Sequence, residues 1–176
     1  MKTAMPVVAV LLAAFAGCGE AADPAESTAE EGGEDAVETV TADLSDPQIL
    51  GDRVAADYVS AIGEVVALCE PRPPADELKP LIEELFGRYV ETYVGYGRYY
   101  QEMDPAQRAA VDSKMAGAFL SIGEDLFESF SQAASHYSAL DTGLGDRLRA
   151  FNIITQYYNY ELLRVQEPEE AARLGL

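Results

Sequence analysis

The chain has no tryptophan, one histidine, two cysteines and only 12 Lys and Arg against 31 Asp and Glu in 176 residues. The scarcity of histidine, cysteine and base each removes a class of function. The single histidine, His136, has Ala133 three residues before it, which excludes a ferritin-like di-metal centre built on paired Glu-x-x-His motifs. With only Cys18 and Cys69 to join it, an ordinary four-ligand zinc site is excluded too, and no acidic run has the spacing of an EF-hand loop. A formal net charge of −19 repels phosphate backbones and anionic headgroups, so nucleic-acid binding is not expected. Solubility alone accounts for such a charge, while cationic partners stay open.

Several letter patterns suggest chemistry and fail on context. Gly95-x-Gly97-x-x-Tyr100 lacks the third glycine of a dinucleotide fingerprint and follows a helical pattern. Asp141-Thr142-Gly143 copies an aspartic-protease motif but occurs once, in a turn between helices. Glu83-Glu84 and Glu124-Asp125 are carboxylate pairs in a chain full of carboxylates, and read as solvated helix faces. Cys69 lies among Val65, Val66 and Leu68, the setting of a buried core thiol, and nothing in the sequence ties it to His136. The expectation is a non-enzyme without a cofactor or metal, a carboxylate-only hydrolase being the one enzymatic alternative.

At the start, Lys2 precedes an apolar stretch from Val7 to Phe15 that is closed by Ala16, Gly17 and Cys18. It is shorter than the roughly 20 apolar residues that span a bilayer, and has the charge, length and small residues of an export signal. Phe15-Ala16-Gly17-Cys18 resembles the lipobox of bacterial lipoproteins, with Phe15 where Leu, Val or Ile is usual. The resemblance implies cleavage before Cys18, a diacylglycerol thioether and an N-acyl chain such as palmitate on Cys18, and hence stable anchoring in the lipid bilayer of the cell envelope. Gly19 after the cysteine implies the outer membrane if the cell is Gram-negative. The alternative from the residues is Ala14-Phe15-Ala16 as a plain cleavage site releasing a soluble protein.

Residues 19–43 hold nine acids, no base and almost nothing apolar, a composition that predicts a disordered tether. Its length gives a span on the order of 30 Å, extended further by charge repulsion. The expected division is a signal at 1–17, lipidated Cys18 and linker over 18–45, a folded domain at 46–167 and a short acidic tail at 168–176.

The folded part reads as four helical blocks separated by Pro and Gly. One stripe is Leu50, Val54, Tyr58, Ile62, Val65 and Cys69, ending at Pro71-Arg72-Pro73-Pro74. A second is Leu78, Ile82, Leu85, Tyr89, Tyr93, Tyr96 and Tyr100. The third begins at Asp104-Pro105-Ala106-Gln107, a capping-box pattern, and runs through Val111, Met115, Phe119, Ile122, Leu126, Phe130, Ala133, Tyr137 and Leu140. Its length, on the order of 50 Å, predicts a kink or break near 129–135. The fourth is Leu148, Phe151, Thr155, Tyr158, Leu162 and Val165, with Pro168 ending it. The expected fold is all-α, an antiparallel up-down-up-down four-helix bundle. Glycines inside the helices predict either close packing or a local unwinding at Gly95-Tyr96-Gly97.

Ten of sixteen aromatics are tyrosine. Tyr89, Tyr93, Tyr96 and Tyr100 share a core face, whereas Tyr99 and Tyr160 fall off the stripes and predict, with Asn152, Asn159 and Arg98, a partly exposed binding patch. Leu44-Ser45-Asp46-Pro47-Gln48 and Met103-Asp104-Pro105-Ala106-Gln107 resemble the paired L-T-x-x-Q motifs of periplasmic stress chaperones, and each is equally a helix N-cap with Gln at its third position. The leading expectation is a membrane-tethered helical lipoprotein that binds a protein, peptide or envelope component. The alternative is a periplasmic chaperone or stress-sensing lipoprotein.

Overall fold

A computed structural model describes residues 43–176. The leader, Cys18 and nearly all of the acidic stretch lie outside the described residues. Every element within them is helical: α1 Pro47–Cys69, α2 Ala75–Glu102, α3 Pro105–Ser121, α4 Glu124–Leu140, α5 Thr142–Ala150, a 3₁₀ segment Phe151–Tyr158, α6 Tyr160–Gln166 and α7 Pro168–Arg173. The all-α expectation holds.

Local chemistry sets the ends. Asp46 caps α1 by accepting from the backbone N–H groups of Gln48 and Ile49, and Pro47 takes the first helical position, where its missing N–H costs nothing. The capping box at α3 is complete: Asp104 Oδ1 accepts from the Ala106 and Gln107 N–H groups, and the Gln107 side chain accepts from the Asp104 N–H. Asp141 caps α5 through the Leu144 N–H and also meets Lys79 Nζ at 3.2 Å. Asp141-Thr142-Gly143 is therefore a helix start. At the far end of α2, Arg108 donates to the carbonyls of Tyr100, Gln101 and Met103. It answers acceptors that the helix cannot satisfy itself.

The α1 and α2 stripes are buried as the spacing predicts: Leu50, Val54, Tyr58, Ile62, Val65 and Cys69 face Leu78, Ile82, Leu85, Tyr89, Tyr93, Tyr96 and Tyr100 in one core. The third block is broken, as its length predicts, but earlier than expected. It is two helices, broken at Ile122 and Gly123 in extended conformation, while 129–135 stays helical. Gly123 weakens the helix at that point and caps the next one, whose first turn carries Glu124 and Asp125 beside the positive end of the dipole.

The fourth block departs further from its expected form. Ile153, Ile154 and Thr155 are β-branched and disfavour α geometry, and the segment around them winds as 3₁₀ helix over eight residues. Each 3₁₀ residue turns about 20° more than an α-helical one, so eight of them rotate the next helix by about 160°. Leu148, Phe151, Thr155 and Tyr158 are buried as expected, but beyond the segment Leu163 is 0% exposed while Leu162 is 39% exposed and Val165 largely exposed. The acidic tail at 168–176 is structured. Residues 168–173 form α7, Ala171 is buried, and Leu174 and Leu176 pack on the core.

Two close pairings run parallel. Along α1 and α3, Gly51 sits against Val111 and Lys114, and further on Tyr58 meets Phe119 at 4.7 Å. Along α2 and the last third, Glu83 meets Arg147, Phe86 meets Phe151, and Tyr100 meets Tyr158. Three glycines make the tightest approaches possible. A Cβ on Gly51 would lie 2.8 Å from Lys114 Cβ, one on Gly145 2.4 Å from Ser138 Cα, and one on Gly97 2.2 Å from Tyr160 Cε1. Close packing, not unwinding, explains Gly97, because α2 is continuous through it. Among the described residues no helix is long and apolar enough to cross a membrane.

Candidate functional site

The tyrosines lie inside, and carboxylates follow them there. Tyr89 donates to Glu64 Oε1 at 2.6 Å, Tyr96 to Asp57 at 2.5 Å, and Tyr157 to Glu170 at 3.1 Å. Tyr100 and Tyr158 converge on Asp112 at 3.0 and 2.9 Å, their rings edge to face at 5.0 Å. Burial pushes the hydroxyls of Tyr89, Tyr100, Tyr157 and Tyr158 well above the ordinary tyrosine range, and the neighbouring carboxylate pushes the same way. In return the bond from Tyr89 holds Glu64 below its usual range. Each of these phenols is a donor at neutral pH, so part of the acidic excess serves to satisfy buried hydroxyls. The carboxylates are detectable in sequence as neighbours of stripe positions: Asp57 beside Tyr58, Glu64 beside Val65 and Asp112 beside Val111.

The predicted patch is split. Tyr160 is 7% exposed. Its ring fills the notch at Gly97 and its hydroxyl donates to the Val94 carbonyl at 2.5 Å. The expectation of an exposed Tyr160 fails because the 3₁₀ segment turns α6 inward. Asn159 is the N-cap of α6, accepting from the Leu162 N–H at 3.1 Å, and Asn152 is half-buried on the 3₁₀ segment. Arg98 and Tyr99 are exposed and share a groove of about 520 Å³ with Leu44, Glu91, Gly95 and Glu102. Arg98 also stands beside the Tyr160 hydroxyl and opposes the upward push of burial on it.

A second groove, about 550 Å³, runs between α2, α5, the 3₁₀ segment and α7. Phe86, Val90 and Tyr157 are buried in its floor and Ile153 is half-exposed on its rim. The Arg147 guanidinium lies 4.4 Å over the Phe86 ring and is fixed by Glu83, its Nε 2.9 Å from the nearer oxygen. Arg173 is likewise held by Glu170 at 2.7 Å. Both arginines are thus neutralised. Glu91 and Glu167 line the same groove and take part in no ion pair among the described residues. Glu91 also lines the Tyr99 groove, so one acidic side chain on α2 borders both. Gly87 and Gly95, four residues to either side of it, have nothing within 4 Å of an added Cβ, which leaves this face of the helix open.

The structure brings Cys69 and His136, unconnected in sequence, to one small cavity of about 200 Å³. The thiol is buried and burial pushes it up to about 11. It is protonated at neutral pH, the opposite of an activated cysteine. Tyr137 beside it donates to the Pro73 carbonyl at 2.9 Å. Among the described residues no three His, Cys, Asp or Glu side chains are placed to hold a metal ion. Compared with family models, curated proteins and solved structures, the chain matches none of them.

Proposed function

We propose that this chain is a lipid-anchored, non-enzymatic helical module of the cell envelope that binds a protein or peptide along the open face of α2. The fold reads as a four-helix bundle whose third and fourth members are interrupted, with its first and third and its second and fourth members as parallel neighbours. The observation that carries the binding reading is the groove of about 550 Å³ with an aromatic floor, two arginines already paired, and Glu91 and Glu167 left for a partner. An apolar floor with a few convergent polar groups is the usual form of a binding cleft. Tyr99 and Arg98 extend the same face past Gly95. The protonated Cys69 supports a binding role over a thiol enzyme. Anchoring through Cys18 rests on the lipobox resemblance, and acylation would hold the module at the bilayer while the acidic tether keeps it off the surface.

Affinity capture with the native full chain tests the binding reading. Gly87→Phe places a ring in the groove where space is free, and Ile153→Glu adds charge to the exposed rim. Both should abolish capture of a partner that the native chain retains, with helicity by circular dichroism unchanged. An unchanged captured set would overturn the groove as the site. Intact mass of the native protein tests the anchor separately: a chain beginning at Gly17 with an unmodified Cys18 makes the protein a soluble exported one.

A further inference from the structure

From Met115 to Asp146 the chain has no lysine or arginine, yet it carries Glu124, Asp125, Glu128, Asp141 and Asp146. The break between α3 and α4 falls in this stretch. Around it Leu120 is 89% exposed and Phe119 and Phe127 are about half exposed, while Ile122 and Leu126 reach the core only in part. Glu124, Asp125 and Glu128 are exposed beside them, and none is in an ion pair among the described residues. Large apolar side chains clustered at the surface and rimmed by charge of one sign mark an interaction surface.

We propose that the α3–α4 joint docks a cationic amphipathic helix of a partner protein. Such a helix offers apolar anchors at i, i+3, i+4 and i+7 for Phe119, Leu120 and Phe127, and its lysines or arginines meet an acidic rim that has no base of its own. The same rim selects against other occupants. A second copy docked face to face would set carboxylates against carboxylates. An anionic bilayer surface is repelled too, since helices that lie on it carry Lys and Arg on their polar face. This surface shares no residue with the α2 grooves, and it stands or falls independently of them.

The test titrates the full chain into a labelled amphipathic leucine–lysine peptide, a scrambled peptide of the same composition, and an amphipathic leucine–glutamate peptide. The amphipathic cationic peptide should bind most tightly. The double variant Leu120→Gln, Phe127→Gln should weaken it by about tenfold or more, as loss of central anchors does, with circular dichroism unchanged. Val165→Gln, on the exposed side of α6, should leave it alone. Glu124→Gln with Glu128→Gln should weaken binding and flatten its salt dependence, which keeps the proposal testable if the apolar variant folds poorly. Absence of binding, equal affinity for the scrambled peptide, or indifference to both double variants would overturn it. So would concentration-dependent dimerisation, or co-flotation with phosphatidylglycerol vesicles, that the apolar double variant abolishes.

Discussion

The first two helices and the last third of the chain carry equally clear apolar periodicity, but only α1 and α2 keep it in space. Both are uninterrupted, α2 even through Pro80, and their stripes are buried throughout. After residue 150 the chain winds for eight residues as 3₁₀ helix, and the phase accumulated before it no longer describes α6. A hydrophobic stripe therefore reports depth only while the turn angle stays constant. Tyr160 and Leu163 are inside because the helix is rotated, and Leu162 is at the surface for the same reason.

A neighbouring pair of alanine substitutions on α6 should show the largest contrast. Leu163→Ala should cost about 2–5 kcal/mol, the range for a buried leucine that leaves a cavity. Leu162→Ala should cost less than about 1 kcal/mol, as partly exposed positions do. Chemical denaturation of both variants decides the matter. Equal losses, or the larger loss at Leu162, would return the fourth block to a single continuous stripe.

Next in size come the glycines at close approaches. Gly145→Ala would drive a methyl against the backbone of Ser138, and Gly97→Ala one against the Tyr160 ring and the Tyr158 carbonyl. Each should destabilise by about 1–3 kcal/mol, the range for overpacking. Gly97→Ala should also raise Tyr160 fluorescence quenching by solvent, since the ring must leave its notch. A Gly97→Ala protein with unchanged stability would mean that α6 lies elsewhere.

Smaller again is the effect of the shared carboxylate. Asp112→Ala leaves the Tyr100 and Tyr158 hydroxyls without their acceptor, a loss of about 1–2 kcal/mol. The same tyrosines set the alkaline limit. Their folded-state pKa values lie above the unfolded value of about 10, so the stability they contribute is fully present below pH 10 and is lost as pH rises through the folded values. The denaturation midpoint should be flat from neutral pH to about 9 and then fall, with most tyrosinate absorbance appearing as the protein unfolds. Most of the tyrosinate growing in smoothly around pH 10 in a folded protein would contradict the buried hydroxyl network.

The same physics divides what is legible in the sequence from what is not. The caps Asp46 and Asp104 and the stripes of α1 and α2 depend on residues close in the chain, and are readable. The break at Gly123 and the 3₁₀ winding of 151–158 arise where local preference is weak and tertiary packing decides, so periodicity alone puts the break too late and does not reveal the short helix at 168–173. The tyrosine bias is visible, but its meaning is partly inverted. Tyr99 and Arg98 do face a groove, whereas Tyr160 is packed, and the partners of the buried hydroxyls come from other helices that periodicity within one helix does not identify. Arg147 over Phe86 and the groove beside it require the parallel pairing of α2 with the last third, which no spacing rule states.

The smallest expected effect bears most on function. Gly95 sits inside α2 with nothing within 4 Å of an added Cβ, and a glycine there weakens the helix by up to about 1 kcal/mol relative to alanine. Packing against the rest of the chain does not account for it, in contrast to Gly97 two residues on. Gly95→Ala should therefore stabilise the protein by as much as about 1 kcal/mol. Gly63→Ala on α1, equally open, serves as the comparison. If the open face of α2 receives a partner, Gly95→Ala gains stability and loses capture, since the methyl enters the groove shared by Tyr99, Arg98 and Glu91, while Gly63→Ala gains stability alone. A Gly95→Ala protein that is more stable and captures as well as the native chain would confine binding to the Gly87 side of Glu91.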